Sequence, residues 1–156
     1  MVSEGRARPG FVQHRLVDGV VFPICTAALA RRLRTPADLA RQTLVHSAPR
    51  PLDWPRWLDA AGVTGVDATR GLRFESLNLA IQAAIEGIGV AMGMEVLVRE
   101  DLERGRLVRP FAASRRSGRP FHVVYPETRA DDPKLIAFRD WLLEEAAGRA
   151  LKGRRH

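Results

Sequence analysis

Residues 77–92 read Leu-Asn-Leu-Ala-Ile-Gln-Ala-Ala-Ile-Glu-Gly-Ile-Gly-Val-Ala-Met, and this stretch decides the fold. Its apolar residues recur at the spacing of one helix face, at positions Leu77, Ala80, Ile81, Ala84 and Ile85. Two glycines, at positions 87 and 89, then end the helix, and they let the chain turn and pass close to a neighbouring segment. The stretch therefore predicts a helix followed directly by a strand that runs through residue 92.

Short apolar runs and helix signals alternate on both sides of this stretch. Thr35-Pro36 is a typical helix start, and Asp53 is expected to cap a helix that carries Trp54 and Trp57. Pro23 cannot donate a ladder hydrogen bond, so its strand is expected at an edge or in a crossover segment. Strands are expected at 11–17, 20–25, 43–46, 70–74, 107–108 and 121–125. This alternation predicts an α/β fold with a largely parallel sheet.

Composition fits one ordinary globular domain, since the 156 residues are 46% hydrophobic and 28% charged. No apolar run is long enough for a membrane span, and the first ten residues lack the apolar core of a secretory signal. The single cysteine, Cys25, excludes an intramolecular disulfide and a cysteine-based zinc site. A cytoplasmic location is therefore expected.

The net charge of +7 comes mostly from the chain ends. Residues 148–156 form a basic tail that contains Arg149, Lys152, Arg154 and Arg155 and no acidic residue. Such a tail adds weak, salt-sensitive attraction to phosphates, but a solvated chain end is the better explanation. The charge therefore gives little support to a nucleic-acid-binding function for this segment.

Motifs for catalysis or for a cofactor are absent from the sequence. There is no phosphate-binding loop, no Gly-x-Ser-x-Gly nucleophile motif, and Gly87-Ile88-Gly89 follows a helix rather than a strand. None of the histidines His14, His46 and His122 has a second histidine or a cysteine three or four residues away. We therefore expect no catalytic residue, no metal site and no cofactor.

The local feature best suited to binding is Phe74-Glu75-Ser76-Leu77, which precedes the periodic helix. Ser76 is placed to cap this helix, leaving backbone N–H groups that point outward and suit a small carboxylate. Simple capping is the alternative, because every helix needs its first amides satisfied.

Several segments, taken in order, resemble LysR-type transcriptional regulators of bacteria, and in particular the subgroup with glycine-cleavage activators and β-lactamase regulators. The strongest match is the run from Ala80 to Met92. The other matching segments are 21–30, 33–39, 44–46, 54–58, 71–76, 101–111 and 124–127. The resemblance covers residues 11–147.

The resemblance implies an effector domain like the type 2 periplasmic binding proteins, in which crossover strands join two α/β lobes. On this mapping the crossovers are 11–25 and 119–126, the second lobe is 26–118, and a final helix at 133–147 packs on the first lobe. Residues 1–10 are expected to be irregular. Most of the first lobe and the helix-turn-helix have no counterpart here, so a truncated protein is expected.

The resemblance also implies an effector site. Ser76, with Phe74 and Leu77, corresponds to the helix end that faces the effector in the family, and Met92 to the cleft floor. Phe121 aligns with an aromatic residue on the returning strand, where relatives often carry tyrosine, so the hydroxyl is missing.

The function implied by the resemblance is small-molecule sensing and oligomerisation within a transcriptional regulator. The expected partners are a carboxylate or amino acid effector and further copies of the chain, with DNA bound only through the absent helix-turn-helix and with no membrane contact. The alternatives are a stand-alone solute-binding lobe of a transport system and a small α/β enzyme. The lack of a signal peptide argues against the first, and the lack of catalytic motifs against the second.

Overall fold

The computed structural model describes residues 8–152, and these fall into two compact units. Residues 20–117 form a central unit, and residues 8–19 and 118–152 form a terminal unit. The predicted N-terminal segment 1–10 and basic tail 148–156 lie partly outside the described residues. The predicted crossover and lobe boundaries at 25, 26, 118 and 119 stay predictions. Within residues 8–152, no helix combines the length and the apolarity that a membrane crossing requires.

A five-stranded mixed sheet with the order β4-β3-β5-β2-β6 forms the centre of the central unit. The strands are β2 (Val20–Ile24), β3 (Leu44–Ser47), β4 (Leu72–Phe74), β5 (Val90–Met94) and β6 (Arg115–Arg116). Strand β3 pairs in parallel with β4 and β5, as predicted, whereas β2 is antiparallel to β5 and β6. The prediction of a largely parallel sheet is therefore wrong for β2, and β6 is a strand that the sequence analysis did not predict. Alternation of strands and helices predicts that helices pack against a sheet. It does not fix the direction of each strand, which depends on the path of the connections between strands.

Helices and one 3₁₀ turn connect these strands: α1 (Ala27–Ala30), the 3₁₀ helix Pro36–Arg41, α2 (Asp53–Ala60), α3 (Leu77–Ile85) and α4 (Glu95–Glu103). The Thr26 and Ser76 side chains cap α1 and α3 by accepting hydrogen bonds from the amides of Leu29 and Leu79. The predicted helix at residue 77 is thus confirmed. The cap predicted for α2 is wrong, because Asp53 is the first helical residue and Leu52 precedes it at the cap.

Two apolar clusters make up the core of the central unit. One contains Trp54, Trp57 and Met92, and the other contains Phe22, Ile24 and the inner face of α3. On α3 the predicted residues Ala80, Ile81 and Ala84 are all at most 5% exposed. Burial of this apolar surface is the main stabilising contribution to such a unit.

The glycines at the end of α3 have separate roles. Gly87 has a φ of 74°, a left-handed conformation that side chains disfavour. At Gly89 a Cβ atom would lie 2.2 Å from the carbonyl oxygen of Thr43. The predicted turn and close approach are both confirmed, and the approach lets the Val90 amide donate to the same Thr43 carbonyl at 2.9 Å.

The terminal unit contains an antiparallel pair, β1 (Phe11–Val17) with β7 (Phe121–Pro126), and the helix α5 (Pro133–Lys152). Helix α5 extends five residues beyond the predicted end at 147, into the segment that we expected to be a tail. The reason is composition, since Ala146, Ala147, Ala150 and Leu151 are strong helix formers. The tail's Arg154 and Arg155 lie outside the described residues.

Candidate functional site

A small recess lies in the central unit at the carboxyl end of β3. Its volume is about 10 Å³, which is room for about one water molecule. The residues that line it are Val45, His46, Ser47, Arg50, Asp53, Trp54, Leu77, Ala80 and Met92. Four of these nine side chains carry a hydroxyl, an imidazole or a charge, so the recess combines a polar wall with an apolar one.

The topology explains why these residues meet. Strand β3 leads into α2, and its parallel neighbour β4 leads into α3, so the amino ends of both helices lie near the carboxyl end of β3. Met92 comes from β5, the parallel neighbour on the other side. The region outside the carboxyl ends of parallel strands is the usual place for ligands in open α/β sheets.

Two ring N–H groups of the recess are already used within the protein. The His46 imidazole is 5% exposed, and its Nε2 lies 2.7 Å from the carbonyl oxygen of Arg70. A carbonyl oxygen only accepts, so Nε2 carries the proton and Nδ1 does not in the neutral ring. The indole Nε1 of Trp54 donates to the carbonyl oxygen of Val45 at 3.0 Å. These bonds fix the orientation of both rings.

Arg50 and Asp53 form an ion pair at the start of α2. The Arg50 Nε donates to Asp53 Oδ2 at 2.5 Å, and Nη2 donates to Oδ1 at 3.2 Å. Each side chain is only 12% exposed. The carboxylate therefore compensates the guanidinium charge, and the pair leaves no large net charge in the recess.

Ser47, the last residue of β3, has a different status. It is 7% exposed, and its Oγ is buried with no hydrogen-bond partner among residues 8–152. A buried hydroxyl without a partner is unfavourable, and such groups in native proteins usually have a functional or solvent-mediated explanation. The Ser47 hydroxyl is thus a buried polar group of the lining whose hydrogen-bonding capacity is open.

The structure places four of the five predicted site residues in the central unit. Leu77 and Met92 line the recess itself. Ser76 caps α3 with its Oγ 3.2 Å from the Leu79 amide nitrogen, and half-buried Phe74 pairs with Ser47 in the β3–β4 register. Phe74, Ser76 and Leu77 therefore belong to the end of β4 and the start of α3, and Met92 belongs to β5, the other parallel neighbour of β3. Their role in effector binding stays a prediction.

Phe121, the fifth predicted site residue, lies in the terminal unit. It begins β7, pairs with Val17 of β1 and is 37% exposed. Its proposed contact with an effector also stays a prediction.

Sequence reasoning missed the polar residues of the recess, His46, Ser47, Arg50 and Asp53, as site residues. We considered His46 only as a candidate metal ligand, and we interpreted Asp53 as a helix cap. The available signal was the change from apolar to polar residues where a buried strand ends, since in a parallel sheet this edge is the usual ligand side.

The LysR substrate binding domain model matches residues 2–147 of the chain. The chain belongs to the LysR substrate-binding domain family. The order of strands and helices around the recess is therefore that of a LysR effector domain, and the mixed α/β fold predicted from the resemblance is confirmed.

Individual LysR proteins are similar over most of this chain. The glycine cleavage system transcriptional activator of Escherichia coli K12 is 35% identical over 149 residues, which are 94% of this chain and 48% of that protein. The HTH-type transcriptional activator AmpR of Pseudomonas aeruginosa is 34% identical over 133 residues, which are 85% of this chain and 44% of that protein. The chain thus spans about half the length of the curated relatives that it matches.

A solved LysR effector domain has the same fold. The effector domain of AmpR from Pseudomonas aeruginosa superposes with a TM-score of 0.82 at 31% identity, covering 96% of this chain and 72% of that domain. This similarity supports the assignment of the family and of the fold.

Proposed function

We propose that this chain is the effector-sensing part of a LysR-type transcriptional regulator, and that it binds a small carboxylate or amino acid at the recess and the amino end of α3. The observation that carries the proposal is the buried, unpartnered Ser47 hydroxyl beside a helix amino end, in a domain whose family is named for substrate binding.

The chemistry of the helix end favours an anion. The Ser76 hydroxyl accepts from the third amide of α3, that of Leu79, so the first two amides, of Leu77 and Asn78, remain for a ligand. Helix amino ends carry partial positive charge and attract carboxylates. Arg50 contributes less, because Asp53 compensates its charge.

Binding regulates when the ligand prefers one arrangement of the protein over another. In the intact regulator we propose that the effector shifts the arrangement of subunits in a homo-oligomer and thereby the DNA-binding domains. This proposal rests on relatives that are named as transcriptional activators. DNA contact through a helix-turn-helix and a cytoplasmic location are part of the same proposal. The family match favours this function over a transport lobe or a small enzyme.

The test is a thermal-shift screen of the 156-residue chain with amino acids and small carboxylates, repeated on Ser76→Ala. We expect at least one compound to raise the melting temperature of the wild-type chain and to lose that effect in Ser76→Ala. Thr26→Ala is the matched control, because it also removes one helix-capping hydroxyl, that of α1, from the central unit. Equal ligand effects in both variants, or no effective ligand at all, would contradict the proposal.

A further inference from the structure

One buried polar atom of the recess has open hydrogen-bonding capacity. His46 Nε2 and Trp54 Nε1 already donate to backbone carbonyl groups, and Arg50 is paired with Asp53. Ser47 is only 7% exposed, and its Oγ has no hydrogen-bond partner in the described part of the chain. A ligand group at the recess therefore has this hydroxyl as a buried polar group without a protein partner, beside the unprotonated Nδ1 of His46.

The size of the recess limits what enters it. Its volume, about 10 Å³, is room for about one water molecule, so a small substituent such as a hydroxyl, an amino group or a methyl group matches it better than a whole carboxylate. We therefore place the carboxylate of the effector outside the recess, with the substituent inside.

The amino end of α3 is the nearby place for that carboxylate. Ser47 pairs with Phe74, and the next amide, of Ala48, donates to the Phe74 carbonyl oxygen at 2.8 Å. Two residues after Phe74, Ser76 caps α3, and Leu77 of its first turn lines the recess. The anion-attracting amides and the Ser47 hydroxyl thus lie on adjoining segments.

We propose that Ser47 determines specificity by hydrogen-bonding a hydroxyl or amino group on carbon 2 of a small carboxylate effector. This inference rests on the proposed function. A methyl group at the same position fits the recess equally well but leaves the Ser47 hydroxyl without a partner, so it is bound less tightly.

The test compares three carboxylates of equal size: glycolate, glycine and propionate, which carry a hydroxyl, an amino and a methyl group on carbon 2. Titrations of the 156-residue chain are followed by thermal shift and by amide NMR. We expect glycolate and glycine to bind about three to ten times more tightly than propionate, the factor that one hydrogen bond supplies. In Ser47→Ala this preference should disappear, whereas in Thr26→Ala it should persist.

The stability of the unliganded variants gives a second readout. We expect Ser47→Ala to melt at the same temperature as the wild-type chain or higher, because it removes a buried hydroxyl that has no protein partner. A melting temperature lowered by several degrees would show that the hydroxyl has a structural role and would overturn the inference.

The outcomes separate this inference from the proposed function. Equal binding of glycolate and propionate by the wild-type chain would overturn the role of Ser47. The role of Ser47 would also be overturned if none of the three carboxylates binds while another compound from the wider screen does. If that compound binds in a Ser76-dependent way, the proposed function stands. Failure of the whole screen would overturn the proposed function as well.

Discussion

The guanidinium Nε of Arg50 donates a hydrogen bond to Oδ2 of Asp53 at 2.5 Å, where the loop after β3 enters α2. Both side chains are 12% exposed, so each charge depends on its partner rather than on water. We expect Arg50→Ala or Asp53→Ala alone to lower the free energy of unfolding by about 3 kcal/mol, because each leaves a poorly solvated charge.

The double variant Arg50→Ala/Asp53→Ala should lower the free energy of unfolding by clearly less than the sum of the two single losses, since no uncompensated charge remains. Urea denaturation followed by tryptophan fluorescence measures all three variants, because Trp54 and Trp57 are buried in the adjoining helix. Additive losses would show that the two residues do not act as a pair.

Gly89 and Gly148 provide opposite tests of backbone packing. A Cβ atom at position 89 would lie 2.2 Å from the Thr43 carbonyl oxygen, whereas one at position 148 meets nothing within 4 Å. We expect Gly89→Ala to destabilise the protein by about 3 kcal/mol through the forced shift of the β5 entry. Gly148→Ala, within α5, should be neutral or stabilising by up to about 1 kcal/mol. Thermal unfolding of both variants checks the contrast, and equal effects would contradict it.

The thiol of Cys25 is fully buried, and this burial raises its pKa from 9.0 to about 11. The unfolded chain therefore loses this proton first as the pH rises. Stability contributed by the neutral thiol is complete below pH 9 and declines between pH 9 and 11, by about 2 kcal/mol at most. Urea denaturation at pH 8 and pH 11 should show this decline in the wild-type chain, and a smaller one in Cys25→Ala. Equal declines in both proteins would contradict the assignment.

In the terminal unit, Tyr125 joins residues from separate segments. Its hydroxyl lies 2.9 Å from His14 Nε2 and accepts a hydrogen bond from Arg139 Nη1 at 3.2 Å. Because Tyr125 is 6% exposed, we expect Tyr125→Phe to lower the free energy of unfolding by about 1–2 kcal/mol. Faster hydrogen exchange of β1 and β7 amides would report this loss. Phe138→Leu, at a 54% exposed position of α5, is the control and should leave exchange unchanged.

Local patterns explain which parts of this structure were predictable. The helix from residue 77 and the turn at Gly87 and Gly89 follow from apolar spacing and glycine, which act over a few residues. The antiparallel direction of β2 depends on pairing with β5, distant in sequence, so alternation of elements did not indicate it. Helix α5 passes the predicted end because the alanines and the basic residues of this segment are all good helix formers.

The residues of the candidate site also include some that were predictable from the sequence and some that were not. Ser76 was recognisable as a helix cap, and Leu77 and Met92 were placed by family resemblance. The Ser47 hydroxyl has no partner because the neighbouring donors bond to other groups. His46 Nε2 bonds to the Arg70 carbonyl group, and Arg50 bonds to Asp53. Such occupancy is a property of tertiary contacts, and no spacing rule in the sequence reports it.

The most direct test of ligand binding at the recess is amide NMR of the ¹⁵N-labelled 156-residue chain during titration with glycolate. We predict saturable shifts concentrated at the amides of Ser47, Leu77 and Asn78, with the same resonances unmoved in Ser76→Ala. Shifts spread over the surface without saturation, or saturable shifts confined to other segments, would contradict the assignment of the site.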